Sequence, residues 1–356
     1  MNPAENRANF EHLLELENVR PALLQKRRGD CVECGVCERR CTISSGRVGF
    51  CKTRMCIEGQ LYTLVYGDIS SMAANPIEKK PFFHFWPGSY ALTVGTWSCN
   101  FLCPWCQNWD ISKCEPHPED AHYISPEKLV RLTLAEKCNG VSISFNEPTL
   151  LLEYCLDLFP LARKRGLYNT YVSNGYMTSE ALSMLGVAGM DAIKFDVKGG
   201  SEAVKRYCGA NVDAVWRNVA EAKRLGMHVE VVVLVIPNVN DDDSNIREIV
   251  SRHVGNAGLD TPIHFTQFYP TYEMTDRERT PVKSLEKAHR TAKEMGVRYV
   301  YTGNVPGHRF ENTYCPNCEN VLIERFGFDI LKVSLTEDKR CLKCGEHIPI
   351  VGPVMK

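Results

Sequence analysis

Between Tyr90 and Gly303 the chain repeats one pattern, a short apolar run followed by a longer stretch of helical periodicity. YALTVGT (90–96) is an apolar run without a polar face, suited to a strand covered on both sides, and GVSISF (140–145), LYNTYVS, DAIKFDV (191–197), MHVEVVVLVI, TPIHFTQF and VRYVYTG read as further strands. PEKLVRLTLAEK (126–137), TLLLEYCLDLFPLARKRG (149–166), TSEALSMLG, DAVWRNVAEAKRLG (213–226), DSNIREIVSRHV and VKSLEKAHRTAKEMG read as helices. Ser125 and Thr178 stand where N-caps belong, with Pro126 at a first helical position and Gly186 as a stop. Such an alternation predicts right-handed βαβ units around a parallel sheet, an α/β fold. Six or seven units suit a complete or partial (β/α) barrel, whose chemistry sits on the loops after the strands' C-terminal ends.

The chain has 356 residues, is 44% hydrophobic and carries a net charge of −1. It can bury a sizeable core, and it shows no broad attraction for nucleic acid or membrane. No run approaches a membrane span. The opening MNPAENRANFEHLLELENVR lacks a secretory signal's apolar run. It reads as a surface helix packing through Phe10, Leu13, Leu14 and Leu16. Seventeen cysteines in a chain of this size, grouped at ligand spacings, predict a reducing cytoplasm and metal sites rather than disulfides.

The groups divide the chain into a helix and cysteine-rich module (1–60), the barrel (61–305) and a small terminal module (306–356). Cys315-x2-Cys318 and Cys341-x2-Cys344 have zinc-ribbon spacing, which also suits rubredoxin-type iron. The N-terminal cysteines admit two readings. Cys31, Cys34, Cys37 and Cys41 have ferredoxin spacing without the following proline. Cys34, Cys37, Cys41 and Cys51 form the other set, with Gly46 and Gly49 to turn the chain back. Spacing does not distinguish zinc, lone iron or a cluster there. Cys138 and Cys155 read as core residues, while Cys208 stands alone. In NPIEKKPFFHFWPG (75–88), the apolar residues suit a plug beneath the barrel, and the charged residues and His84 suit a substrate frame. His84 and His264 are potential proton donors.

The loop after YALTVGT carries Cys99-x3-Cys103-x2-Cys106 with Trp105 before the last thiol. Three thiolates on a tight loop can hold three corners of a [4Fe–4S] cube. The alternative is a zinc site completed by Cys114, His117 or His122.

This motif resembles the signature of the radical S-adenosylmethionine (radical SAM) superfamily. The resemblance implies a full or partial barrel of the (β/α)6 type, and a cluster whose open iron binds S-adenosylmethionine. Asn146, Glu147 and Pro148 stand at that family's GGEP segment, with Phe145 and Asn146 replacing the glycines. Glu147 would then face the methionine ammonium, and Ser173 and Asn174 the ribose or carboxylate. Asp196 and Lys198 resemble the D-x-K of glycyl-radical activases, and the segment around Pro237 an adenine platform. The run from LYTLVYGDISSM through CNFLCPWCQNWD is similar to the radical SAM member of the AmmeMemoRadiSam system, itself similar to pyruvate formate-lyase activating enzymes. HFTQFYP, YTGNVPG and ENTYCPNC extend that similarity. It implies an enzyme that takes hydrogen from a protein or peptide, a low-potential ferredoxin or flavodoxin as donor, and AMMECR-type and Memo-type partners. Modification of a small molecule or tRNA, or service as an iron–sulfur electron carrier, are the alternatives.

Overall fold

The structure, a computed structural model, describes residues 10–355. Residues 10–15 are helical, with Phe10, Leu13 and Leu16 half-buried. Leu14 is exposed, against expectation, and Arg20–Pro21 is already a strand. The remainder of the expected first helix, residues 1–9, lies outside the described residues.

Eight strands form one sheet: Ser71–Pro76 (β1), Tyr90–Gly95 (β2), Gly140–Ile143 (β3), Tyr168–Ser173 (β4), Ala192–Val197 (β5), His228–Val235 (β6), Ile263–Gln267 (β7) and Val300–Gly303 (β8). Their order in the sheet is their order in the chain. The pairs β3–β4, β5–β6, β6–β7 and β7–β8 are parallel. Six helices alternate with the later strands: Pro126–Ala135 (α1), Leu152–Arg163 (α2), Ser179–Ala188 (α3), Val212–Arg224 (α4), Asp243–Ala257 (α5) and Val282–Glu294 (α6). This is the expected α/β architecture, with one further strand, β1, at the sheet's edge.

The chain divides into two compact units. The first comprises Met1–Ala74, Leu92–Leu102 and Cys106–Asp191, the second Asn75–Ala91, Cys103–Trp105 and Ala192–Lys356. In the first, α1 starts as its sequence dictates, with the Ser125 side chain accepting from the Lys128 backbone N–H. Thr178 caps α3 in the same way, but α3 runs past Gly186. It ends at Gly189, whose φ of 107° a side chain would strain. The core here includes Val141, Ile143, Leu158, Phe159 and Tyr171, all fully buried. Each such side chain is worth roughly 1.5–3 kcal/mol. Two three-stranded sheets lie N-terminal to the barrel strands. One orders Arg20–Pro21, Gln60–Thr63 and Arg54–Ile57; the other orders Gln25–Arg28, Cys31–Cys34 and Thr42–Ser44.

In the second unit, β6 and β7 carry Val231, Val233, Ile263 and Phe265 into a fully buried core. The aromatic segment 75–91 packs at the starts of β6 and β7. Phe82, Phe83, His84 and Phe85 are buried there. The His84 backbone N–H donates to Glu230 at 2.7 Å, and Glu230 meets His228 at 3.0 Å and His264 at 2.7 Å. His84 Nε2 lies 2.6 Å from the Tyr301 hydroxyl. These histidines are tied into a buried polar network, which supports the plug reading of the segment. The terminal module is a three-stranded antiparallel sheet of Thr313–Tyr314, Val321–Phe326 and Asp329–Val333. Leu322, Ile323, Ile348 and Ile350 bury a small core with Phe83, Tyr299 and Tyr301.

Candidate active site

Chain geometry puts the three-cysteine loop directly after β2, where this architecture carries its chemistry. Cys99 Sγ accepts from the Phe101 backbone N–H at 3.4 Å. The Asn174 side-chain amide points at the same sulfur from 3.9 Å. Cys106 Sγ lies 2.9 Å from the Ser112 hydroxyl, which itself donates to the Asn108 carbonyl. Cys103 is buried, and its sulfur lies 3.4 Å from that of Cys208. Cys208 thus belongs beside the motif, a placement its isolation in sequence did not indicate. Cys114 is exposed and donates to the Asp110 carbonyl at 2.8 Å. Three thiols at this spacing, with no fourth in the motif, fit an iron–sulfur cluster with one iron left for another ligand.

The neighbouring strand ends brace this loop. Asn146 accepts from the Thr96 backbone N–H at 3.1 Å and donates to the Ser98 carbonyl at 2.8 Å. Both ends of its side chain are therefore committed to the cysteine loop. Asn108 donates to the Phe145 carbonyl at 2.5 Å. Phe145 has φ 67°, the left-handed conformation that glycine adopts freely and a phenylalanine rarely does. In place of the expected glycine, a phenylalanine takes this left-handed conformation.

Glu147 is 1% exposed. One carboxylate oxygen accepts from Thr149 N at 3.1 Å, Thr149 Oγ1 at 2.5 Å and Ser173 Oγ at 2.8 Å. The other accepts from the Asn174 backbone N–H at 2.9 Å. Burial pushes its pKa up against these four donors. The structure thus brings Glu147, Ser173, Asn174 and Cys99 together, with the carboxylate holding the turn after β4 in place. Asn174 Nδ2 also donates to Asn100 Oδ1 at 2.7 Å.

In the second unit, Asp196 is held between two lysines. Lys194 Nζ lies 2.5 Å and Lys198 Nζ 3.4 Å from its carboxylate. Burial works against the Asp196 charge, but the two ammonium groups outweigh it and hold its pKa below the usual carboxylate range. Lys194 was not anticipated, although residues two apart on a strand share a face. The Pro237 carbonyl accepts from Arg277 Nη1 at 2.7 Å. Asn240, which bonds Ile236 N and the Leu234 carbonyl, pins the backbone of this segment.

The ribbon cysteines converge. Cys315 and Cys344 sulfurs are 3.4 Å apart, those of Cys318 and Cys341 3.7 Å, and all four lie within 4.8 Å of one another. A tetrahedral ion with bonds of about 2.3 Å to sulfur sets thiolates about 3.8 Å apart, so the four fit one ion. Among the described residues no other group of three or more such ligands is so tight. Cys34, Cys37, Cys41 and Cys51 line one recess, which Cys31 does not. Cys31 instead lies 3.3 Å from the Ser44 hydroxyl. No helix among the described residues is long and apolar enough to cross a membrane.

Residues 94–250 match the model of the Radical SAM superfamily. An uncharacterized protein of Methanocaldococcus jannaschii is 42% identical over 321 residues, covering 90% of this chain and 96% of the relative. The GTP 3′,8-cyclase of Nautilia profundicola is 24% identical over 264 residues, covering 67% and 79%. Among solved structures, a radical SAM methyltransferase from Sphaerobacter thermophilus is 14% identical, with a TM-score of 0.48 over 85% of this chain and 83% of the other. A domain of a pyruvate-formate lyase-activating enzyme from Bacteroides vulgatus is 14% identical, with a TM-score of 0.41 over 47% of this chain and 99% of the domain.

Proposed function

Since the chain belongs to the Radical SAM superfamily, we propose that it is an enzyme holding a [4Fe–4S] cluster on Cys99, Cys103 and Cys106 and taking hydrogen from a protein or peptide substrate. When bound, the cluster and S-adenosylmethionine supply a one-electron cleavage that yields methionine and the 5′-deoxyadenosyl radical. The chain's own residues set the conditions. Asn146 and Asn108 fix the loop that presents Cys99 and Cys106. Glu147 holds the Ser173–Asn174 turn against that loop. By the family resemblance, Asp196, Lys198 and the segment around Pro237 would receive the nucleoside end of the cofactor. Buried walls exclude water and competing hydrogen donors.

The observation that carries this reading is the donor set itself. The motif offers three thiols, and Cys114, the nearest further cysteine in sequence, is exposed and bonded to Asp110. The peptide substrate rests on the resemblance to activases, which also implies a ferredoxin- or flavodoxin-class donor and AMMECR-type and Memo-type partners. A second reading, a nucleotide or other small-molecule substrate, is favoured by the relative named as a GTP 3′,8-cyclase. Anaerobic reaction with S-adenosylmethionine and a one-electron reductant should give 5′-deoxyadenosine, and Cys103→Ala should abolish it. Deuterium transfer into that product from labelled, fractionated lysate separates the substrate readings. An active peptide fraction supports the first, an active small-molecule fraction the second. A wild-type chain that makes no 5′-deoxyadenosine overturns both and leaves an electron carrier.

A further inference from the structure

Four cysteines of the N-terminal module line one small recess: Cys34, Cys37, Cys41 and Cys51. Cys34 ends the strand Cys31–Cys34, Cys37 follows on the loop that pairs with Met177, Cys41 immediately precedes the strand Thr42–Ser44, and Cys51 lies in the turn bridged by Val48 and Met55. Cys31 and Cys34 lie three residues apart on one strand, so they face opposite sides. That is why the ferredoxin-spaced set does not assemble.

The recess differs from the ribbon in two respects. No three of its sulfurs lie within 4.8 Å of one another, whereas the ribbon's four do. The space between them admits a water-sized sphere. A site closed on one ion at about 2.3 Å would not. Thiols set wider apart than one ion can bridge, around an enclosed gap, match a ligand with metal at several corners.

Two buried donors also stand on the recess wall: Arg54 Nε has no hydrogen-bond partner, and the Asn100 amide bears on the Cys37 sulfur, their side chains being 1% and 0% exposed. Both are fixed in orientation. Arg54 gives Nη1 to Glu153 at 2.6 Å and Nη2 to the Leu150 carbonyl at 3.2 Å. Asn100 has its oxygen on Asn174. An orphaned buried donor is costly, so Arg54 Nε calls for an acceptor in the recess, where the Asn100 amide is already directed at a sulfur. The Phe50 backbone N–H already donates to Cys41 Sγ at 3.4 Å. Donors directed at sulfur are what an iron–sulfur centre needs around it. The Arg54 guanidinium, paired with Glu153 at 2.6 Å, also bears on the Cys34 and Cys51 thiols and favours their thiolate forms.

We propose that this recess binds a second [4Fe–4S] cluster, ligated at its four irons by Cys34, Cys37, Cys41 and Cys51, with Arg54 Nε and Asn100 Nδ2 donating to its sulfur atoms. It is a one-electron centre, reduced by a low-potential protein donor and reoxidised by passing that electron to the first cluster, with its own composition unchanged. Asn100 follows Cys99 directly in sequence, so the centre lies next to the loop that carries the first cluster in the reading above.

The deciding protein is the full chain with Cys99→Ala, Cys103→Ala and Cys106→Ala together, reconstituted anaerobically with iron and sulfide. It should retain about four iron and about four labile sulfides per chain, the ribbon's metal apart. Adding Cys37→Ala should remove them. A triple variant with one metal ion at this site and no labile sulfide overturns the proposal in favour of a single-ion site. One with no metal beyond the ribbon's overturns it outright. Should the triple variant not accumulate, Cys37→Ala in the otherwise unchanged chain should lose about four sulfides. Unchanged sulfide there also overturns it. The radical SAM reading fails separately, by a wild-type chain that makes no 5′-deoxyadenosine.

Discussion

Asn174 Nδ2 donates to Asn100 Oδ1 at 2.7 Å, while the Asn174 backbone N–H donates to Glu147 at 2.9 Å. The turn after β4 is thereby fastened to the residue that follows Cys99. Asn174→Ala leaves Asn100 Oδ1 buried without this donor. The expected cost is roughly 1–3 kcal/mol of stability. Production of 5′-deoxyadenosine should fall with it. An unchanged thermal midpoint together with unchanged turnover would show that the bond fixes nothing.

Glu147→Gln replaces one acceptor oxygen with an NH2 group among four donors. At least one donor loses its partner, and a donor–donor clash appears. Stability should drop by about 1–3 kcal/mol. Affinity for S-adenosylmethionine, followed by its perturbation of the reduced-cluster EPR signal, should weaken while iron content holds. Equal affinity in variant and wild type would remove Glu147 from the cofactor site altogether.

Cys114→Ala should leave that EPR response intact, whereas Cys99→Ala, Cys103→Ala or Cys106→Ala should each abolish it. Cys114 is exposed and its thiol is engaged by Asp110. Equal loss on removing Cys114 would mean a four-thiolate site with no iron open to the cofactor.

Cys341→Ser should remove one equivalent of metal by elemental analysis without lowering labile sulfide. The ribbon's thiols are spaced for one ion. Its strands bury Leu322 and Ile323 with Phe83, Tyr299 and Tyr301, so the variant should also bind a hydrophobic dye more strongly. A fall in sulfide would make the ribbon an iron–sulfur site instead.

Two histidines set the acid limit. Burial holds His84 down to about 3 and His253 to about 4, against an ordinary value of 6.5. The unfolded chain therefore takes protons that the folded chain refuses. This contribution to stability is complete above about pH 6.5 and is lost as pH falls, by up to roughly 1.4 kcal/mol per pH unit for each histidine. Burial pushes the Glu230 carboxyl up, but its bonds to His228 and His264 more than reverse this and hold it low. Its contribution is lost in the same direction, at lower pH. Unfolding midpoints measured from about pH 7 to about pH 4.5 should fall steadily, less steeply in His84→Gln. A flat profile would contradict a neutral, buried His84.

The barrel strands were legible as short, largely apolar runs between stretches of helical periodicity, the pattern of βαβ units. α1 and α3 announced their starts through Ser125 and Thr178. The stop of α3 was misplaced because Gly186 and Gly189 both look like stops, and only the backbone shows which takes positive φ. Strand β1 was invisible: three of its six residues are exposed and it ends in proline. At the candidate site, the motif cysteines and the strand-end polar residues could be named from their spacing and the family pattern. Their obligations could not. That Glu147 accepts four hydrogen bonds, and that Cys208 stands against Cys103, depend on residues distant in sequence. Cys31 looked equivalent to its neighbours until the strand placed it on the opposite face.

Cys344 is the exposed member of the ribbon's four thiols. Peroxide would reach it before its three neighbours, and an oxidised sulfur no longer ligates metal. Air would then damage this protein in two unrelated places. Iron and sulfide added afterwards can rebuild a cluster, but neither reduces an oxidised ribbon. A chain handled aerobically and then reconstituted would show a full iron–sulfur spectrum while the surface around Tyr299 and Tyr301 stood uncovered. Its low activity would be blamed on the clusters when the fault lay in the lost ribbon metal.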